Sequence, residues 1–139
     1  MRLWLQTVLI ALALFGLMSM HAQAQHEWFD KIAGEYLGRL VDSDGEKPVL
    51  TILRRTAGPQ SNAALLSGEY TYGADRVAGR LEACAATGPR LLRCTWIDRF
   101  GRGALELEFD EALTSFRGRW SADGIPGVSF PWNGRRSAT

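Results

Sequence analysis

Between Gly103 and Trp120 the chain alternates apolar and polar side chains twice, and the two runs agree about which face is buried. Leu105, Leu107 and Phe109 alternate with Glu106 and Glu108. After a polar turn, Phe116, Gly118 and Trp120 alternate with Arg117 and Arg119. A period of two marks a half-buried strand. Pairing Phe109 with Phe116 sets Leu107 against Gly118 and Leu105 against Trp120 on one face, with Glu108 against Arg117 and Glu106 against Arg119 on the other. One register satisfies both faces, whereas a slip of one residue would turn every side chain over.

The same period recurs along the chain. Residues 34–41 predict a strand with Tyr36, Gly38 and Leu40 on one face, followed by the turn Asp42-Ser-Asp-Gly45. Asp and Gly tolerate the positive φ of tight hairpins. Residues 48–54 form the next strand, 56–62 a loop, and 64–72 a strand presenting Leu66, Gly68, Tyr70 and Tyr72 together. Strands over 77–83 and 91–99 flank Ala86-Thr-Gly-Pro89, and a short last strand over 128–135 contains Pro131, which restricts it to an edge or a bulge. Ahead of these, residues 26–33 carry Trp28, Phe29 and Ile32 at helical spacing, predicting one helical turn that plugs an end of the core.

About eight short strands with turn signals every 8–12 residues indicate an all-β fold. Consecutive hairpins favour an antiparallel up-and-down meander, closed or nearly closed into a small barrel. Eight strands enclose a space that side chains fill or that holds one small ligand. Glycines recur on the inward faces at Gly38, Gly68, Gly79 and Gly118, where a strand bends sharply or a large aromatic fits opposite.

The first 24 residues differ in kind. Met1-Arg2, an apolar run over 3–18 interrupted by Gln6 and Thr7, and Ala22-Gln-Ala24 read as a secretory leader cleaved after Ala24. A membrane-spanning helix needs about 20 apolar residues, and this run is shorter. The expected organisation is a leader over 1–24 and a single barrel domain over 25–139, exported to the periplasm or the exterior and not held to a membrane once cleaved. Loss of Arg2 with the leader reduces the 16 basic side chains to parity with the 15 acidic ones. The mature chain therefore has no excess charge for nucleic acid. Cys84 and Cys94 are the only cysteines, and export favours their oxidation, so a disulfide is expected. A register with the cysteines directly opposed would set Glu82 against Trp96. The register shifted by one sets Leu81 beside Trp96 and leaves Cys84 bridging from an irregular loop edge, which is the expected geometry.

Catalytic residue types are scarce. His26, beside the expected cleavage point, is the one histidine of the mature chain, which disfavours a histidine-based nucleophilic triad or a zinc site. Asp42-x-Asp44-Gly45 has the spacing of part of a calcium loop but lacks the later ligands. Asp98, Glu106 and Glu108 are read as outward partners of arginines, and Gly101-x-Gly103 as a turn. No metal, cofactor or catalytic residue is assigned.

A helical turn holding Trp28 and Phe29 that leads into Gly34-Glu-Tyr36 is similar to the Gly-x-Trp opening of a lipocalin barrel. In outline the chain resembles the calycins: lipocalins, avidins and small secreted bacterial metalloprotease inhibitors. The resemblance implies that Arg135 packs across the ring of Tyr36. The Gly-x-Tyr, Phe-x-Gly-x-Trp and Trp-x-Gly-x-Arg pieces equally resemble those of exported bacterial domains of unknown function.

Two functional classes follow. One is a binder of a small apolar or aromatic molecule, with Tyr36, Tyr70, Tyr72, Trp96, Trp120 and Trp132 lining a hollow. The other is a module that binds or inhibits a protein through the loop 56–62 or the arm 25–31, with the same aromatics as plain core. A structural envelope protein with a filled barrel is the third reading.

The hairpin faces predict that Leu107→Asp buries an unpaired charge and costs about 3 kcal/mol or more, whereas Glu108→Gln weakens an exposed pair worth about 0–1 kcal/mol. Denaturant midpoints measure both, and equal losses would mean that the faces are reversed.

Overall fold

A computed structural model describes residues 27–56 and 66–137. The expected leader and most of the loop 56–62 lie outside these residues. A helical turn over 27–32 precedes eight strands: β1 (Gly34–Asp42), β2 (Gly45–Arg55), β3 (Leu66–Tyr72), β4 (Val77–Gly88), β5 (Leu91–Asp98), β6 (Gly101–Phe109), β7 (Ser115–Ala122) and β8 (Phe130–Arg136). Each pairs antiparallel with the next, and β8 returns to β1, so the meander is a closed barrel. Closure leaves no unpaired strand edge. Among the described residues no helix is long and apolar enough to cross a membrane.

The β6–β7 register is the one the alternation requires, with Phe109 opposite Phe116, Leu107 opposite Gly118 and Leu105 opposite Trp120. The charged face uses other partners. Glu106 approaches Arg93 of β5 at 3.7 Å, and Arg119 donates to the Ser129 hydroxyl. Pro131 is not on a free edge, because β8 is paired on both sides. The β1 ladder starts at Trp132, so Pro131 falls just outside it and its missing N–H breaks no bond with β1.

Leu81 faces Trp96 across β4 and β5, and the pairing jumps between Glu82 and Ala85. Cys84 lies in that irregularity and is bonded to Cys94, with both cysteines buried. It is not in a loop, since β4 continues to Gly88 beyond a bulge in which Ala83 has a φ of 51°. A bulge puts an extra residue into one strand. This carries Cys84 inward without turning Leu81 out.

The barrel has a shut end and an open end. At the shut end Phe29 and Ile32 of the helical turn are buried against Tyr36, Phe109 and Phe116. The Arg136 guanidinium lies 5.4 Å from the Tyr36 ring centroid, donates to the Tyr36 hydroxyl at 3.2 Å and donates to the Lys31 carbonyl. The arginine across the ring is thus Arg136, not Arg135. Tyr36 and Arg136 are register partners on β1 and β8, whereas Arg135 is paired with the outward Leu37. Above this layer Leu53, Leu66, Leu81, Leu92, Leu105 and Leu107 fill the middle of the barrel.

The disulfide closes a short loop between neighbouring strands, and removing it should cost about 2–3 kcal/mol through greater freedom of the unfolded chain. Comparing urea midpoints of the oxidised protein and a Cys84→Ala/Cys94→Ala double variant checks this. Equal midpoints would show that the bond adds no stability.

Candidate functional site

The open end is framed by the β1–β2, β3–β4 and β5–β6 turns and the β7–β8 loop. It contains a cavity of about 360 Å³. Strand parity delivers its walls. Along β3 the inward series Leu66, Gly68, Tyr70 reaches Tyr72 at the rim, and along β5 Leu92, Cys94 and Trp96 are followed by Asp98. On β1 the series Tyr36, Leu40 ends at Asp42, and on β2 the series Leu53, Thr51, Val49 runs back to Lys47.

Five of the six predicted aromatics meet here: Tyr70, Tyr72, Trp96, Trp120 and Trp132 all line the cavity. Tyr36 does not. It is fully buried at the shut end, held by its own bond to the Ile32 carbonyl at 2.7 Å and by Arg136. Trp132 forms the floor, with its indole N–H donating to Thr51 Oγ1 at 3.0 Å and the Tyr70 ring set edge-on at 4.8 Å. Trp96 and Trp120 meet edge-to-face at 5.4 Å, a favourable arrangement of ring quadrupoles. Their N–H groups donate to wall carbonyls, Trp96 to Ser121 at 2.9 Å and Trp120 to Val41 at 2.8 Å.

Gly79 explains how Tyr70 fits. A Cβ there would come within 2.1 Å of the Tyr70 ring, so the tyrosine lies over a position that must lack a side chain. Gly38 has a different role. A Cβ would meet the Asn133 carbonyl at 1.8 Å, so the close approach is backbone to backbone.

Asp98 is not an outward partner of an arginine. It lines the cavity and accepts the Tyr70 hydroxyl on Oδ2 at 2.7 Å and the Phe100 amide on Oδ1 at 2.8 Å. Lys47 is bonded to Asp42 at 2.5 Å, lies 3.8 Å from Asp44 and is 5.9 Å from the Tyr72 ring centroid. Partial burial pushes the Asp42 carboxyl up, but the Lys47 bond and charge and the Asp44 and Gly45 amides outweigh this and hold it below its usual value. Asp98, Asp42 and Lys47 were legible only by carrying each strand's parity one step past its apolar series. Among the described residues no three side chains form a group able to hold a metal ion.

All three tyrosines of the chain hold their protons above the usual pH. Burial is the largest cause in each case. For Tyr70 the Asp98 bond and charge add to burial, and for Tyr72 the charges of Asp98 and Asp42 do so. At Tyr36 the charge and bond of Arg136 oppose burial without cancelling it. A raised folded value means that the unfolded chain releases these protons first, so stability is complete below about pH 10 and falls as pH rises beyond it. Absorbance at 295 nm should show little tyrosinate in the folded protein at pH 10, with ionisation appearing together with unfolding at higher pH. Half-ionised tyrosine in the folded protein at pH 10 would contradict the geometry.

No protein-family model matches the chain, and no curated protein or solved structure matches it either.

Proposed function

We propose that this chain is an exported, non-catalytic β-barrel that binds a small molecule with an apolar or aromatic body in the open end. The carrying observation is the contrast between the two ends: one packed shut by the helical turn, Tyr36 and Arg136, the other hollow and walled by five aromatic side chains. Interiors are normally close-packed, so a cavity bounded by indoles and phenols at the mouth of a barrel is the default place for a ligand. Its volume suits a ligand of one or two rings. The disulfide supports an oxidising compartment. The contact between Arg136 and Tyr36 beside the helical turn supports the likeness to calycins.

The protein-binding reading has one observation in its favour. Phe100 and Ile125, on the turns around the mouth, are 68% and 55% exposed, and a partner would cover them. These residues lie at the opposite end of the barrel from the helical turn over 27–32.

A neutral, environment-sensitive probe, N-phenyl-1-naphthylamine, should bind saturably with a change in Trp fluorescence, and Trp120→Phe should weaken it roughly threefold to tenfold through loss of one aromatic contact. No saturable binding by the folded wild type would overturn the ligand-binding reading in favour of the protein-binding one.

A further inference from the structure

At its floor and inner walls the hydrogen-bonding character of the cavity is one-sided, and the Tyr72 and Ser43 hydroxyls are the neutral side-chain donors left in the lining. The three indole N–H groups of its walls and floor are all engaged by the protein, on Ser121, Val41 and Thr51, and the Tyr70 hydroxyl is engaged by Asp98. An indole N–H is a donor only and has a single hydrogen, so none of these tryptophans has anything left to donate to a ligand. They present ring faces and edges. Asp98 is in the opposite condition. A carboxylate has about four acceptor sites, and Asp98 receives the Tyr70 hydroxyl and the Phe100 amide, which leaves acceptor capacity on a half-buried group that lines the cavity.

The charged groups of the cavity lining agree. Asp42, Asp44, Asp75 and Asp98 stand against Lys47 and Arg99. Lys47 is committed to Asp42 and Asp44, and the Arg99 guanidinium lies over the exposed Phe100 ring at 4.8 Å. An anionic ligand would meet aromatic faces, acceptor oxygens, cations already engaged elsewhere and, as side-chain donors, the neutral hydroxyls of Tyr72 and Ser43. A protonated amine would meet the electron-rich faces of indoles, which attract cations most strongly when desolvated, together with a carboxylate able to accept its N–H groups.

Building on the ligand-binding reading of this cavity, we propose that its ligand is an organic cation, an aromatic or apolar body bearing a protonated amine, with Asp98 receiving the ammonium and Trp96 and Trp120 packing against the body. Lys47 sets the strength of this preference from the rim, because it neutralises Asp42 and competes for the same space. Cation recognition here is a property of the mouth alone. The other cation–aromatic contact at a barrel end, Arg136 on Tyr36, is internal and shut off.

The test is a matched series on one ring system: 1-naphthylmethylamine, 1-naphthylmethanol and 1-naphthylacetate, titrated calorimetrically into the full chain at pH 7 and low salt. The amine should bind roughly tenfold more tightly than the alcohol, and the carboxylate most weakly. Asp98→Asn should remove most of the amine's advantage while leaving the alcohol's affinity within about twofold, since it deletes a charge and not a surface. Lys47→Gln should widen the advantage, and this variant decides the matter if Asp98→Asn fails to fold by near-ultraviolet circular dichroism. Carboxylate binding equal to that of the amine would overturn the proposal, as would an amine advantage unchanged in both variants. Saturable binding of the neutral naphthylamine probe with no preference within the series overturns the cation assignment alone. If neither the probe nor any member of the series binds, the cavity is not a ligand site and both readings fall.

Discussion

One hydrogen bond inside the barrel, from the Trp132 indole on β8 past the intervening β1 to Thr51 Oγ1 on β2, marks the boundary between a solid and a hollow part. Thr51 is a fully buried polar residue in an otherwise apolar lining, and Trp132 is almost as completely enclosed. A buried N–H left without an acceptor costs about 1–3 kcal/mol, so the pair is held by the penalty of separating it as much as by its own strength. With the indole fixed, Tyr70 packs edge-on against it, and Gly79 leaves the room that the phenol needs. The aromatic layer above the leucines then becomes a floor. Had Thr51 been valine, the same ring would have had to find another acceptor or tilt, and the depth of the mouth would not be defined.

The shut end depends on a different bond type for the same purpose. Arg136, in the last strand, reaches the Lys31 carbonyl in the helical turn that precedes the first strand, and on the way it crosses the Tyr36 ring and donates to its hydroxyl. Tyr36 in turn donates to Ile32. The chain is therefore joined to itself across almost its whole described length at one end of the barrel, beside the β1–β8 ladder that closes the sheet. A plug that could move would make the two ends equivalent. This network makes them different, and a single-mouthed vessel results.

Much of the fold was legible because a strand's period is short and self-checking. The β6–β7 register followed from alternation on both arms, and it holds at each of the five pairs named from sequence. The β4–β5 register before the bulge followed from keeping a glutamate away from Trp96, where Leu81 stands; beyond the bulge Ala85 and Ala86 pair in the other register, the one rejected from sequence. What escaped was of three kinds. The bulge that keeps Cys84 inside a longer β4 depends on a backbone turn at Ala83, a residue with no sequence signature for positive φ. The arginine of the shut end was placed one residue early, because Arg135 and Arg136 are adjacent and only the β1–β8 pairing tells them apart. Asp98 was misread for a third reason, chemical expectation overriding parity. A carboxylate at a strand end looks solvent-directed, yet its position two residues after Trp96 puts it on the inner face, where the Tyr70 hydroxyl meets it.

The stability of the open end and the electron-rich character of its walls rest on the same bonds. Folding penalises buried donors without acceptors, so each indole at the mouth turns its N–H to a carbonyl or hydroxyl of the barrel, and Tyr70 turns its O–H to Asp98. Satisfying these groups removes four donors from the cavity but leaves the acceptors, since a carboxylate that has taken two hydrogens has room for more. Aromatic rings are electron-rich on the faces that remain. A hollow built by burying tryptophans on a β-barrel therefore acquires an electron-rich character as a by-product of being stable. A cation such as Lys47 at its rim is then drawn to the neighbouring carboxylates, where it counters that character instead of reversing it.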